Sequence, residues 1–204
     1  MSGAHANARL EAFCDGVFAI ALTLLIIDIK LPAASSVTST ADLWRALQQL
    51  GPSLFAFILS FGIILITWVN HHGILKSVND SSGPFIYANG LLLLTVVCIP
   101  FTQSLLGEFL WTDRAAPAVC VYNAVLALQA IGWIALIRAA LATNLAVDER
   151  AAAAMRLGAR NGSVAFAFYA LLAVAALWWP VASAAVTTIS WIFWLGFGLR
   201  LKHG

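Results

Sequence analysis

Two groups of polar side chains sit inside apolar runs, and these are the residues whose types and spacing can do chemistry. The first lies in Arg9 to Lys30, RLEAFCDGVFAIALTLLIIDIK. There Glu11 and Asp15 precede an apolar run, Gly16 to Ile27, whose only polar side chain is Thr23. The second is TWVNHH, with Trp68, Asn70, His71 and His72. A charge at membrane depth is costly, so it lines a water path or a polar contact between helices. Carboxylate and imidazole at similar depth suit two roles. One is a proton relay or ion site. The other is a structural knot, in which Asp15 accepts hydrogen bonds from Trp, Asn and His donors and fixes helix packing. The residues alone leave both open. Haem or metal is disfavoured: of His5, His71, His72 and His203, only the middle pair lies in an apolar segment. Adjacent helix positions point about 100° apart, so His71 and His72 cannot ligate one metal from one helix.

Within the first run Ile20, Leu24 and Ile27 fall at i, i+4 and i+7, with Thr23 beside them. Such a stripe faces neighbouring helices, lipid or a pore, and apolar constrictions can gate ions by dewetting. Asp28, near the end of the run, either attracts cations or pairs with Lys30. The familiar alternatives are missing from the sequence: a TVGYG-like filter loop, regularly spaced arginines, Walker or Rossmann glycines, and a hydrolytic pair. The chain is therefore not expected to be an enzyme, and no cofactor is expected. Cys14, Cys98 and Cys120 lie in separate apolar segments without a CxxC spacing, which argues against a disulfide framework or a zinc site.

The elements that must position these residues follow from composition. The chain has 204 residues, 62% hydrophobic and 10% charged, with a mean hydropathy of +0.91. Soluble domains are nearer a quarter charged, and about 20 apolar residues mark a membrane helix. There is room for six such helices. The first runs from about Arg9 to Leu31, the second from Pro52 to Leu75, and the third from Pro84 to Leu106, interrupted at Pro100. The fourth runs from Ala116 to Leu141, the fifth from Asn161 to Trp179, and the sixth from Val181 to Leu201. A short interfacial helix is expected over Ala41 to Leu50, where Leu43, Trp44 and Leu47 share one side. The charged stretch from Thr143 to Arg160 is expected to extend the fourth or fifth helix. No soluble domain and no cleavable signal peptide are expected.

Orientation follows Lys and Arg placement. With the N-terminus inside, Arg9, Lys76, Arg138, Arg150, Arg156, Arg160, Arg200 and Lys202 fall inside. Only Lys30, Arg45 and Arg114 fall outside, accounting for all 11 basic residues. An even helix count puts both termini in the cytoplasm. The net charge of +2 is too small to suggest nucleic-acid binding.

RLEAFCDGVFAIALTLL resembles the signature of the transmembrane protein 175 family, whose first helix carries Arg-x-x-x-Phe-Ser-Asp. The matching residues are Arg9, Phe13, Cys14 and Asp15. WVNHH in the second helix and LLLLTVVCIPFTQSLLGEF in the third also match. The resemblance is clearest from Arg9 to Phe109. It departs at Cys14, where the motif has serine. A thiol is the weaker hydrogen-bonding group.

What the resemblance implies is an all-α membrane protein, a single six-helix domain over 1–204. It would be a potassium-permeable channel of the prokaryotic cell membrane, without a carbonyl filter. Single-repeat members of the family assemble as homotetramers with the first helices around a central pore. The narrowest point, five residues after the motif Asp, is Ile20 here, with further layers at Leu24 and Ile27. The polar position linked to selectivity is Thr23. Arg9, Phe13, Cys14, Asp15, Trp68, Asn70 and His71 would hold the first two helices together. The partners implied are further copies of the chain, the bilayer and monovalent cations. A proton-conducting pore and a secondary transporter built on Asp15 and His71 are the competing readings.

Overall fold

The computed structural model describes the backbone of residues 3–30 and 32–201, and the side chains of 7–30 and 32–192. Leu31, where the first helix was expected to end, lies outside the described residues, as do Lys202 and His203 and the side chains of His5 and Arg200. The elements are α1 (Gly3–Ile27), a 3-10 turn (Ala34–Ser36), α2 (Thr40–Gln49), α3 (Gly51–Lys76), α4 (Gly83–Phe109), α5 (Ala115–Ala142), α6 (Glu149–Ala175) and α7 (Pro180–Leu201). The fold is all-helical among the described residues, apart from one isolated bridge. Five helices, α1 and α3 to α6, are long and apolar enough to cross a bilayer; α7 holds a shorter apolar stretch, Pro180–Ile192. At 1.5 Å per residue a 27-residue helix such as α4 spans about 40 Å, more than the roughly 30 Å hydrocarbon core.

Local chemistry sets the ends. The Ser82 hydroxyl accepts from Phe85 N (3.3 Å) at the start of α4 and the Asp148 carboxylate from Ala151 N (2.7 Å) at the start of α6. Pro occupies the first turn of α3 and of α4, where its missing N–H costs nothing. At the end of α5, Asn144 takes a positive φ of 53°. Leu145 N donates back to Ala140 O and Asn144 N to Leu141 O, the paired bonds of a Schellman cap. This stop separates α5 from the charged stretch, which continues into α6. Of the two extensions expected, the one of the fifth membrane helix is therefore found.

The expected interruption at Pro100 is not found. α4 is continuous through it, and Pro100 is buried. A proline inside a helix in water costs about 3 kcal/mol. Here α4 is held on three sides, by α1, α3 and α5, and packing of that kind lets membrane helices keep a proline.

α4 and α5 form the middle of the bundle. α1 lies at one edge, against α3 and α4, and α6 at the other, against α5 and α7. Close approach is made by glycine. A Cβ on Gly132 of α5 would stand 2.9 Å from the Leu92 Cα of α4, and one on Gly107 of α4 would stand 3.0 Å from the Ser53 Cα of α3. At the end of the bundle that holds the start of α1 the α3–α4 and α5–α6 loops pair: Asn79 N donates to Leu145 O (2.9 Å) and Val147 N to Ser77 O (3.0 Å). Asn7 of α1 adds a bond to Val78 O (3.2 Å).

The short helix α2 lies where it was expected. Leu43, Trp44 and Leu47 are exposed, as suits an interfacial helix beside a membrane span. Thr38 and Ser39 hydroxyls each donate to Asp42 at 2.8 Å, and these bonds hold the Asp42 carboxyl below its usual range. Their contribution to the start of α2 is present at neutral pH and is lost as pH falls through that lowered value.

Gly132→Ala should lower the thermal midpoint of the detergent-purified protein, because overpacking costs about 1–3 kcal/mol. Gly90→Ala, where a Cβ meets nothing within 4 Å, should leave it unchanged or raised by helix propensity, worth up to about 1 kcal/mol. A thermal melt of both variants checks the difference in sign.

Candidate functional site

The first helix is apolar from Gly16 to Ile27 but buries only one narrow stripe. Cys14, Phe18, Ala21 and Leu25 are buried, at 0–1% exposure, and they recur at helical spacing. At about 100° per residue, the opposite side carries Arg9, Phe13, Gly16, Ile20, Thr23, Leu24 and Ile27, spaced by three and four. All seven are exposed. Phe13 is 62%, Ile20 60%, Leu24 42% and Ile27 72% exposed. A Cβ on Gly16 would meet nothing within 4 Å. The Thr23 hydroxyl donates to Ile20 O of its own helix (2.9 Å). That bond occupies its proton and leaves its oxygen lone pairs facing outward.

The buried side is anchored in the N-terminal half of α1 by a polar knot. Glu11 and Asp15 lie four apart on α1, and Trp68 and His72 lie four apart on α3, so each pair shares a helix face. Because the helices run antiparallel, the pairs meet as two rungs. Trp68 Nε1 donates to Asp15 Oδ1 at 2.8 Å. His72 Nδ1 lies 2.9 Å from Glu11 Oε1, near enough for an ion pair when the imidazole is protonated but without hydrogen-bond alignment. The Trp68 and His72 rings stack with centroids 6.0 Å apart.

His71, one position before His72, points elsewhere. It is 1% exposed and meets α4, with its Nε2 2.7 Å from Asn89 Oδ1. Asn89 Nδ2 in turn donates to Cys14 Sγ at 3.0 Å. With the amide oriented this way His71 donates from Nε2, which leaves Nδ1 as a buried nitrogen without a partner among the described residues. Phe18 and Trp133 flank the imidazole, with ring centroids at 5.4 and 6.4 Å. One asparagine thus ties α1, α3 and α4 together.

The structure brings together Cys14, Asp15, Trp68 and His71. Of the Trp, Asn and His donors expected at Asp15, only Trp68 bonds it among the described residues; His71 is turned about 100° from His72 and faces α4. Cys14 joins α1 to α4, whereas its bond was expected to join the first two membrane helices. Arg9 and Asn70 are exposed and make no hydrogen bond or ion pair among the described residues. They lie outside the knot, and so does Phe13. Arg9 falls instead at the N-terminal end of the free stripe, about three turns of a straight helix from Ile20.

Glu11, Asn89 and Trp133 were not predicted as members of the knot, and His72, expected with His71 opposite Asp15, meets Glu11 instead. Glu11 and His72 carried a readable signal, each four residues from a predicted partner and in the register of two antiparallel rungs. Asn89 was readable only as a lone amide in an apolar helix. Past the C-terminal end of α1 Lys30 pairs with Glu108 (3.6 Å), not with Asp28.

The chain is similar to several known proteins. A family model described as "Endosomal/lysosomal potassium channel TMEM175" matches residues 9–100. A potassium channel of Streptomyces collinus is 40% identical over 166 residues, 78% of this chain and 79% of that protein. A potassium channel of Chamaesiphon minutus is 45% identical over 125 residues; the match spans 61% of this chain and 61% of that relative's own length. Among solved structures, a lysosomal potassium-selective channel TMEM175 homologue from Chamaesiphon minutus superposes with a TM-score of 0.79 at 35% identity. That superposition covers 95% of this chain and 97% of the other.

Hydrogen bonds to charged groups contribute about 1.5–3 kcal/mol. Trp68→Phe should therefore lower the thermal midpoint in detergent clearly, and adding Asp15→Asn to it should cost little more. A double-mutant cycle reads the coupling; additive losses would mean that the rung carries no net energy.

Proposed function

We propose, because this chain belongs to the transmembrane protein 175 family, that it is one subunit of a potassium-permeable cation channel lined by the free stripe of α1. The observation that carries this reading is the free stripe itself. The helix is anchored by a single buried face and leaves Ile20, Thr23, Leu24 and Ile27 uncovered. Lipid tails provide no hydrophobic drive for helices to associate, but several copies can pack these stripes around a common axis.

In this reading the chain is one channel domain over 1–204. It crosses the cell membrane six times, with α7 as the sixth crossing and both termini in the cytoplasm. It assembles as a homotetramer. Four Ile20 side chains form an apolar ring, with Leu24 and Ile27 in layers above it. A ring of this kind blocks ions by dewetting when narrow and passes partly hydrated ions when wide. The Thr23 oxygens, with their protons committed to the Ile20 carbonyls, present lone pairs to a passing cation. Because a methyl-lined ring provides no carbonyl cage, discrimination follows dehydration cost and is modest, favouring potassium over sodium.

The knot sets the width of the ring. Glu11, Cys14, Asp15, Trp68, His71 and Asn89 fix the inner end of α1 against α3 and α4. Arg9 and Phe13 continue the stripe towards the cytoplasmic mouth. Asn70, uncovered in its own chain, faces a neighbouring copy.

The test is flux into liposomes holding the purified protein, driven in turn by potassium, sodium and proton gradients. Potassium flux should exceed sodium flux. Ile20→Asn should raise flux severalfold and reduce the difference between the two ions. Flux unaltered by Ile20→Asn would move the constriction to another residue. Uptake that needs two coupled gradients would replace the channel with a transporter, and current under a proton gradient alone would replace potassium with protons.

A further inference from the structure

α6 is the least buried of the five long apolar helices: only 11% of its most apolar stretch is buried, against 50% in α4. Two glycines turn one side of it to α5. A Cβ on Gly158 would stand 3.2 Å from Ile137 Cδ1, and one on Gly162 would stand 3.0 Å from Ile134 Cγ1. At about 100° per residue, the side turned away from α5 carries Arg156, Arg160, Ser163, Ala167, Leu171 and Val174. All six are exposed, and they recur at spacings of three and four.

This face changes chemistry along its length. From Val164 to Ala175 the helix is apolar except for Tyr169, whose hydroxyl bonds Ser190 of α7 (3.1 Å). Just before that run stand two guanidiniums one helical turn apart. Residues four apart on a helix have Cβ atoms about 5–6 Å from each other, close enough for both side chains to reach one phosphate. Arg160 makes no hydrogen bond or ion pair among the described residues. Arg156 Nη1 donates to Glu149 Oε1 at 2.7 Å, which leaves its other N–H groups free. That pair is 60% and 80% exposed, so water screens it and it opens at little cost. Asp148, the other acid of this stretch, is committed to the Ala151 N–H.

Arginines at the end of a membrane helix reach for the headgroup level and help to set orientation. One charge at the boundary serves that purpose. Here two stand in line with an uncovered apolar stripe. The guanidinium fork binds phosphate oxygens in pairs. The stripe from Arg160 to Val174 runs about 21 Å at 1.5 Å per residue, longer than one leaflet of a core roughly 30 Å thick. A soluble anion would use the guanidiniums alone, whereas a phospholipid uses both parts of the face. In a zwitterionic lipid the phosphate is countered by the lipid's own ammonium, so a net negative headgroup is the better match.

We propose that the outward face of α6 binds an anionic phospholipid, with its phosphate between Arg156 and Arg160 and an acyl chain along Ala167, Leu171 and Val174. The proposal needs the chain to span a membrane; it does not rest on the channel reading.

Purified full-length protein in detergent is titrated with phosphatidylglycerol and with phosphatidylcholine of the same acyl chains, and bound lipid is read by native mass spectrometry. Phosphatidylglycerol should bind more tightly. Its affinity should fall about fivefold for each arginine removed in Arg156→Gln and Arg160→Gln, roughly 1 kcal/mol apiece. Arg150→Gln, roughly 100° round the helix from both, should leave binding unchanged. Thermal melts establish that the variants fold; if the double variant does not, Arg160→Gln alone carries the comparison. Equal binding of the two lipids would overturn the proposal. So would a loss in Arg150→Gln as large as in the double variant, because the effect would then be diffuse surface charge. Glycerol phosphate, the headgroup anion without chains, should not displace the lipid at matched concentration; if it does, the face is a site for soluble anions and the lipid assignment falls.

Discussion

Everything proposed for this chain depends on how little of α1 is buried in its own fold. A helix that is apolar from Gly16 to Ile27 would lie anywhere in lipid, because the bilayer is as apolar as its side chains. Two things hold it at the edge of the bundle: the stripe of Cys14, Phe18, Ala21 and Leu25, and the polar knot in its N-terminal half. In hydrocarbon, a polar pair such as Asp15 with Trp68 has few alternatives to its partner. The knot therefore specifies rotation as well as position. Rotating α1 by one residue would carry Asp15 off Trp68 and move Ile20 off the free side. The chemistry of the buried face thus decides which residues the exposed face presents.

The two ends of α1 are built differently. The N-terminal end is fixed by side-chain rungs, by the Asn89 bridge and by paired loops around Val78 and Ala146. The C-terminal end has the Gln103 bond to the Leu25 carbonyl and an exposed Lys30–Glu108 pair. A helix held firmly at one end and lightly at the other can change its tilt with little loss of packing. In a ring of such helices, tilt changes the opening near Ile20, Leu24 and Ile27.

Much of this organisation was legible in the chain before its structure. The apolar runs gave helices α3, α4 and α5 to within a few residues, because length and hydropathy dominate in a membrane protein. Which of α5 and α6 takes the charged stretch between them was harder. Their boundary rests on Asn144 in a left-handed conformation and on Asp148 as a cap, two short signals inside a charged stretch. Pro100 was misleading, since a rule learned from helices in water underestimates the support from neighbours on three sides. The motif located Asp15, Trp68 and His71 and anticipated a Trp donor to Asp15, but not that His71 turns to α4. Pairing depends on helix rotation, which a single sequence leaves open when a helix is apolar all round. The same limit hid Asn89, and it placed Arg9 in the knot when its register puts it on the free stripe.

The most direct test of the central claim, that the free stripe of α1 faces the conduction path, is accessibility to a charged thiol reagent. Cys98 and Cys120 are first replaced by alanine, and single cysteines are introduced at Ile20, Leu24 and Ile27, and at Ala21 and Leu25. Potassium flux into liposomes is then measured before and after the reagent. The account predicts block at the first three positions and none at the last two. Block at Ala21 and Leu25 with Ile20, Leu24 and Ile27 unaffected would contradict it, because the buried face would then be the one that meets water.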